Sequence, residues 1–275
     1  MNSTNVRADL DLSGDDLLWQ HLKSVPAFRA LLRSIEARLF QQLDIPDPCL
    51  DLGCGDGHFA KIVFRRPLSV GIDPWRGPLE KARRAGSHRL LIQGMGHVMP
   101  FPDNTFSSVT SNSVLEHIPN IQPVLHEINR VLKEDGLLIF TTPSEHFTKL
   151  LAGGKWFDNH GFGGLAERYR RLFNKISRHY HTDSPAKWFE RLENAGFSVE
   201  KWQYYFSEEA LHTLEIGHLQ GIPSALIHAL TGHWIVAPWE KSLRPTEQWV
   251  RPLYEEEYPE VGAMMLFIAR KKSKE

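Results

Sequence analysis

Apolar residues along the chain follow two rhythms, and the alternation between them predicts the architecture. From Asp15 to Leu43, Phe28, Leu31, Leu32, Ile35 and Leu39 recur at helical spacing, which predicts two amphipathic helices parted at Pro26. From Cys49 the rhythm changes to short apolar runs: Cys49 to Leu52, Leu68 to Pro74, Arg89 to Gln93, Phe106 to Ser111 and Leu137 to Thr142. Such runs, alternating with helical stretches, read as buried strands of a parallel sheet. Helices are expected after Phe59, at about Pro78 to Arg84, and from Glu116 and His117 through Ile121, Val124, Leu125, Ile128, Val131 and Leu132 to a stop at Gly136. Ser184-Pro185 starts another helix that buries Trp188, Phe189 and Leu192. Strands from Ala195-Gly196-Phe197 to about Tyr205 and from Val261 to Ala269 follow.

The first strand runs into a glycine turn, CLDLGCGDGHFAKIVF, with Gly53, Gly55 and Gly57 at alternate positions. Glycines there permit positive φ and let a ligand approach the backbone, and the new helix points unpaired N–H groups at it. The spacing is G-x-G-x-G preceded by Asp51, not the G-x-G-x-x-G of a dinucleotide site. An acid at the mouth of the turn suits a cationic ligand such as a sulfonium or amine. Asp73 ends the second strand, beside the turn in a doubly wound sheet, where a carboxylate can accept from ribose hydroxyls. Turn and acid together point to an adenosine-containing ligand.

DLGCGDG, GIDP, PFPDNTF, SVLEHI and EINRVLKEDGLLIF, in this order, resemble class I S-adenosylmethionine-dependent methyltransferases, in the broad type 11 group of quinone-biosynthesis and small-molecule enzymes. The resemblance covers roughly Pro46 to Pro143, with a weaker echo at Ser184 to Val199. It implies an α/β fold: a Rossmann-like, doubly wound, seven-stranded, mostly parallel sheet whose last strand is antiparallel, with an N-terminal helical cap and helical insertions. It implies S-adenosyl-L-methionine as cofactor, held by Asp51, Leu52, Gly53, Cys54, Gly55, Gly57, Asp73, Pro74, Met95, Gly96, Asn112 and Ser113. Met95 stands where the family usually carries an adenine-binding acid, so its backbone N–H and thioether are left to meet the ring. Should the acceptor need a base, His117, His146 and His181 are the candidates.

These signals divide the chain into a helical cap (1–45), a cofactor-binding core (46–144 and 182–206), a lid-like aromatic insertion (145–181), a second insertion (207–260) and a closing strand with a basic tail (261–275). Residues 1–14 are polar and expected to be loose, and Pro252 with Glu255 to Glu257 reads as exposed loop. The second insertion, broken by Gly217, Gly221, Pro223, Gly232 and Pro238, suits short helices that bury a lipophilic acceptor, form a homodimer or touch a membrane surface peripherally.

A net charge of −1 provides no field that recruits nucleic acid. Two cysteines, Cys49 and Cys54, form no disulfide framework, and with no leader pattern the chain is expected to be cytoplasmic. The histidines, His179, His181, His212, His218, His228 and His233 among them, show no zinc-binding spacing, so no metal is expected. The expected activity is methyl transfer to the oxygen or carbon of a small lipophilic or aromatic acceptor. The alternatives are a cofactor-binding module without turnover and a nicotinamide-dependent oxidoreductase.

Overall fold

The computed structural model describes residues 16–217, 234, 235 and 237–273. The expected loose leader, the breakers Gly221, Pro223 and Gly232, and His218, His228 and His233 lie outside the described residues. The core is a seven-stranded sheet in the order β3-β2-β1-β4-β5-β7-β6, the class expected from the sequence. Its strands are β1 (Cys49–Leu52), β2 (Leu68–Asp73), β3 (His88–Gln93), β4 (Phe106–Asn112), β5 (Leu132–Pro143), β6 (Phe197–Tyr205) and β7 (Met264–Lys271). The first five pair in parallel, and β7 runs antiparallel between β5 and β6. The order reverses between β1 and β4, the switch point outside which doubly wound sheets bind ligands.

Alternation along the strands buries the sheet on both faces. Ile139 and Leu266 join one apolar core, built on α1 (Leu17–Leu22) and α2 (Ala27–Gln41). Their neighbours Leu138, Phe140, Met265 and Phe267 join the other, built on α5 (Gln122–Val131) and α8 (Pro185–Asn194). The parting at Pro26 is where the sequence places it, because Pro26 sits just before α2 and cannot continue α1. The helices α3 (His58–Val63) and α4 (Arg76–Ala85) follow the glycine turn and β2.

Three expectations are corrected. The expected helix from Glu116 is two elements, a 3₁₀ turn at Leu115–His117 and α5 beginning at Gln122. It ends at Val131, not Gly136, because Leu132 already pairs with Phe106; Gly136 is small because a Cβ there would lie 2.8 Å from the Lys133 carbonyl. Pro252 is not loop. It lies with Pro245 inside the helix α10 (Glu240–Glu255), both on the exposed face while Leu243, Val250 and Tyr254 are buried, so water can satisfy the carbonyls that the prolines leave unpaired.

The first insertion forms α6 (Ala152–Asn159) and α7 (Gly163–Ile176), and residues 208–217 form α9. Buried Glu215 of α9 accepts from the Ala152 N–H at 2.7 Å, the Gly153 N–H at 2.9 Å and the Tyr169 hydroxyl, so it caps α6 and ties the two insertions together. Asp16 caps α1 through the Leu18 N–H at 2.9 Å and pairs with Arg251 of α10 at 2.6 Å. Among the described residues no helix is long and apolar enough to cross a membrane.

Candidate functional site

At the end of β1 the chain turns through Gly53, Gly55 and Gly57 at φ of 75°, 54° and 71°, values that only glycine adopts without strain. The Gly53 and Cys54 N–H groups donate to the Ile72 carbonyl at 2.8 and 3.2 Å, tying the turn to β2. The Asp73 carboxylate accepts from the Gly55 N–H at 3.0 Å and the Trp75 N–H at 2.9 Å. Each oxygen has one lone pair thus engaged and one remaining. Burial raises the Asp73 carboxyl above its ordinary range, against the opposing pull of those two N–H groups.

The glycines do different work. A Cβ on Gly53 would collide with Val114 at 2.5 Å, and one on Gly57 with Ser87 Oγ at 2.1 Å, so both are demanded by packing. A Cβ on Gly55 would meet nothing within 4 Å, so the backbone there borders open space. That space is a cavity of about 540 Å³, walled by Asp51, Gly53, Cys54, Gly55, Asn112 and His58.

A second cavity of about 370 Å³ adjoins it, lined by Phe28, Leu32, Phe147, Leu214 and Met264, with Ser113, Glu116 and His117 among its polar residues. The two cavities share Arg29, Arg33 and Trp234. Below that wall Glu36, wholly buried, accepts from Arg33 at 2.7 Å, Asn112 at 2.8 Å, Ser113 at 2.8 Å and the Tyr205 hydroxyl at 3.0 Å. One carboxylate thus fixes α2, the end of β4 and the end of β6 against one another. Arg29 makes no ion pair among the described residues, and burial together with neighbouring Arg33 lowers its pKa.

The structure brings some expected residues together and leaves others outside. Asp51, Gly53, Cys54, Gly55 and Asn112 wall the first cavity, and Ser113 and His117 the second. Asp73 reaches the first through Gly55, and Gly57 faces Ser87 behind the turn. Leu52 is buried against Gly96, the Pro74 carbonyl accepts from Gln93 at 3.0 Å, and Met95 is half exposed in a bridge to Val98. None of these four lines either cavity.

The three histidines separate in the same way. The His117 Nδ1–H donates to the Arg178 carbonyl at 3.0 Å, which leaves the Nε2 lone pair free of that bond, and burial lowers its pKa. His146 lies against Tyr204, with Nε2 3.5 Å from Glu145. The His181 Nε2–H donates to the Ile118 carbonyl at 2.9 Å, and its Nδ1 faces Arg191 and Asp183. Neither His146 nor His181 lines either cavity.

Arg29, Arg33, Glu36, Glu116 and His88 are not among the residues expected at the site. His88 donates from Nε2 to Asp51 at 3.0 Å, with its Nδ1 2.9 Å from Ser87 Oγ, and so orients the acid beneath the turn. Arg29, Arg33 and Glu36 lie three and four residues apart along α2, beside its apolar stripe, a spacing visible in the sequence once that helix is set against the cavity.

Comparison with known proteins places this geometry in a family. A model described as a methyltransferase domain matches residues 50–140. The chain is 34% identical over 120 residues to a malonyl-[acyl-carrier protein] O-methyltransferase of Legionella pneumophila, covering 40% of this chain and 42% of that protein. It is 35% identical over 118 residues to a demethylmenaquinone methyltransferase of Symbiobacterium thermophilum, covering 39% and 47%. The matches therefore span about half the length of these curated relatives or less. A protein of Encephalitozoon cuniculi with a provisional methyltransferase name is 31% identical over 157 residues, 54% of this chain and 70% of that one.

Among solved structures, a SAM-dependent methyltransferase from Thermotoga maritima superposes with a TM-score of 0.55 at 18% identity, over 90% of this chain and 91% of that one. The [4+2]-cyclase SpnF does so with a TM-score of 0.55 at 19% identity, over 88% and 82%. Fold alone therefore does not fix the chemistry. The matched residues include the β1 end and the glycine turn that border the first cavity, and the chain belongs to the S-adenosylmethionine-dependent methyltransferase family.

Proposed function

We propose that the chain transfers the methyl group of S-adenosylmethionine to an oxygen or carbon of a small, largely apolar acceptor seated in the second cavity. The observation that carries this reading is the shared wall of Arg29, Arg33 and Trp234, which sets a glycine-turn cavity directly beside an apolar one containing His117. The names of two relatives, an O-methyltransferase and a demethylmenaquinone methyltransferase, agree with an oxygenated acceptor.

The backbone of Gly53 to Gly55, with Asp51, Asp73 and Asn112, would hold the cofactor, and the Arg29 guanidinium, which has no ion pair among the described residues, suits its carboxylate. When bound, the cofactor supplies an electrophilic methyl group on a sulfonium; the acceptor atom gains the methyl and the electron pair of the broken S–C bond stays on sulfur. The protein's task is chiefly alignment, worth up to roughly 7–11 kcal/mol. Phe28, Leu32, Phe147 and Leu214 exclude water around the acceptor. Phe147, Ile176 and His179, from segment 145–181, border the second cavity and support reading that segment as its cover. His117 is neutral at neutral pH, since burial lowers its pKa, and its Nε2 takes the proton of a hydroxyl acceptor.

Calorimetric titration with S-adenosylmethionine, S-adenosylhomocysteine and NADH tests the reading. Micromolar binding of the first two and none of the third is expected, followed by release of S-adenosylhomocysteine with lipophilic hydroxylated acceptors. His117→Ala should lower kcat about 10²- to 10⁴-fold with cofactor affinity unchanged. Absence of binding by both sulfur compounds would overturn the reading, and NADH binding would move it to oxidoreduction.

A further inference from the structure

Glu116 has no evident structural reason to be acidic. It lies in the 3₁₀ turn at the carboxyl end of β4, is 1% exposed, and borders the second cavity. Its backbone carbonyl accepts from the Tyr180 N–H at 2.8 Å, a bond that any residue would make. Among the described residues its Oε2 has no hydrogen-bond partner, and the basic group within 4 Å of Oε1 is His117 Nε2 at 3.8 Å. A buried carboxyl whose second oxygen is unpartnered among the described residues is costly, and the only donor acting on it besides is its own backbone N–H.

Around it in the cavity wall stand Arg33 from α2, Ser113 before the turn and His117, whose ring lies 5.5 Å from that of His179, and Glu36 of α2 acts on it through its charge. Arg33 is already engaged by Glu36. Burial pushes the Glu116 carboxyl up to about 8, with Glu36 adding and Arg33 opposing, so near neutrality it is a protonated acid able both to donate and to accept a hydrogen bond.

We propose that Glu116 is a recognition group for the acceptor, and that the acceptor carries two neighbouring hydroxyl groups, one meeting His117 and the other Glu116. This rests on the reading of the second cavity as the acceptor site. The 3.8 Å between His117 Nε2 and Glu116 Oε1 suits hydroxyls on adjacent carbons better than hydroxyls on opposite sides of a ring. The substrate class is therefore a vicinal diol or catechol whose lipophilic body packs on Phe28, Leu32, Phe147 and Leu214.

The test compares a lipophilic catechol with its monohydroxy analogue in S-adenosylhomocysteine-release assays on wild type, Glu116→Gln and Glu116→Leu, with S-adenosylmethionine affinity measured alongside. Wild type is expected to prefer the catechol about tenfold in kcat/KM. Glu116→Leu should collapse that ratio to near one, chiefly through KM. Glu116→Gln should keep most of it, because an amide also donates and accepts. A purely structural role would instead move both acceptors together.

Equal kcat/KM for the two acceptors in wild type, or a preference that survives in Glu116→Leu, would overturn the proposal. If cofactor binds but neither compound is turned over, calorimetric binding of the same pair to the S-adenosylhomocysteine complex makes the same comparison, and absence of binding by both overturns the proposal. Failure of the methyltransferase reading is distinct, since it shows as no cofactor binding at all.

Discussion

Asp73 and Glu36 are both acids whose oxygens are engaged by the fold, yet their substitution should be read by different measurements. Asp73 keeps a free lone pair on each oxygen and stands beside the open backbone of Gly55. Asp73→Ala should weaken S-adenosylmethionine binding by about 1.5–3 kcal/mol, the range for a lost hydrogen bond to a charged group. Calorimetry checks this, and unchanged affinity would remove Asp73 from the site. Glu36 is wholly buried and surrounded by Arg33, Asn112, Ser113 and Tyr205. Glu36→Leu leaves the Arg33 cation and three polar groups without their common partner and should cost about 3–5 kcal/mol in urea unfolding; a loss under 1 kcal/mol would show that the network relaxes to water. Asp73 was legible in the sequence because turn and acid recur within one short βαβ stretch. Glu36, Arg29 and Glu116 were not, because their partners come from distant segments and local spacing reveals only the apolar stripe beside them.

At the scale of elements, the glycine turn is one unit with two functions, and two substitutions separate them. Gly57→Ala sets a Cβ 2.1 Å from Ser87 Oγ at a φ of 71°, so it should unfold the turn and lower stability by more than the roughly 1–3 kcal/mol of backbone strain alone. Gly55→Ala meets no protein atom, so it should lose only that strain while its methyl group intrudes where the ligand approaches, weakening cofactor binding about tenfold or more. Thermal melts and calorimetry on both variants give the comparison. A Gly55→Ala protein that binds as wild type does would detach the turn from the cavity. The strands and the short helices between them were readable because each is a local apolar run bounded by Gly, Pro or Asp. α10 was not, because Pro245 and Pro252 read locally as breakers, and only its buried face of Leu243, Val250 and Tyr254 makes the helix continuous. The division of the expected helix at Glu116 has a local cause in Pro119, which lacks an N–H and turns Ile118 to an extended conformation, so that α5 starts only at Gln122.

For the whole molecule, buried ionisable groups set how stability varies with pH, and their signs oppose one another. Glu116 holds its proton more tightly folded, at about 8, than its ordinary value of 4.5. Its share of stability is therefore complete below about pH 4.5 and is lost as pH rises through about 8. His21, buried with its Nδ1–H donating to the Leu17 carbonyl at 2.8 Å, is pushed down by burial to about 3 from 6.5. Its share is complete above about 6.5 and is lost as pH falls toward about 3. Glu127, held low by Arg130, and Asp183, held low by His181 and Arg191, add to that acid-side loss. His58 and His117, also lowered by burial, add to the acid-side loss, and Asp73 and Glu256, raised by burial, add to the loss as pH rises, so stability should fall on both sides of a broad maximum. Glu116→Gln removes only its own share of the alkaline-side loss, because an amide has no proton to release. Its urea midpoint relative to wild type should therefore rise between pH 5 and 9, by an amount corresponding to a few kcal/mol. A difference that stays flat over that range would mean that the carboxyl ionises as easily folded as unfolded. In that case Glu116 would be solvated in the folded chain, which would contradict the buried setting, with Oε2 unpartnered among the described residues, on which its role toward the acceptor depends.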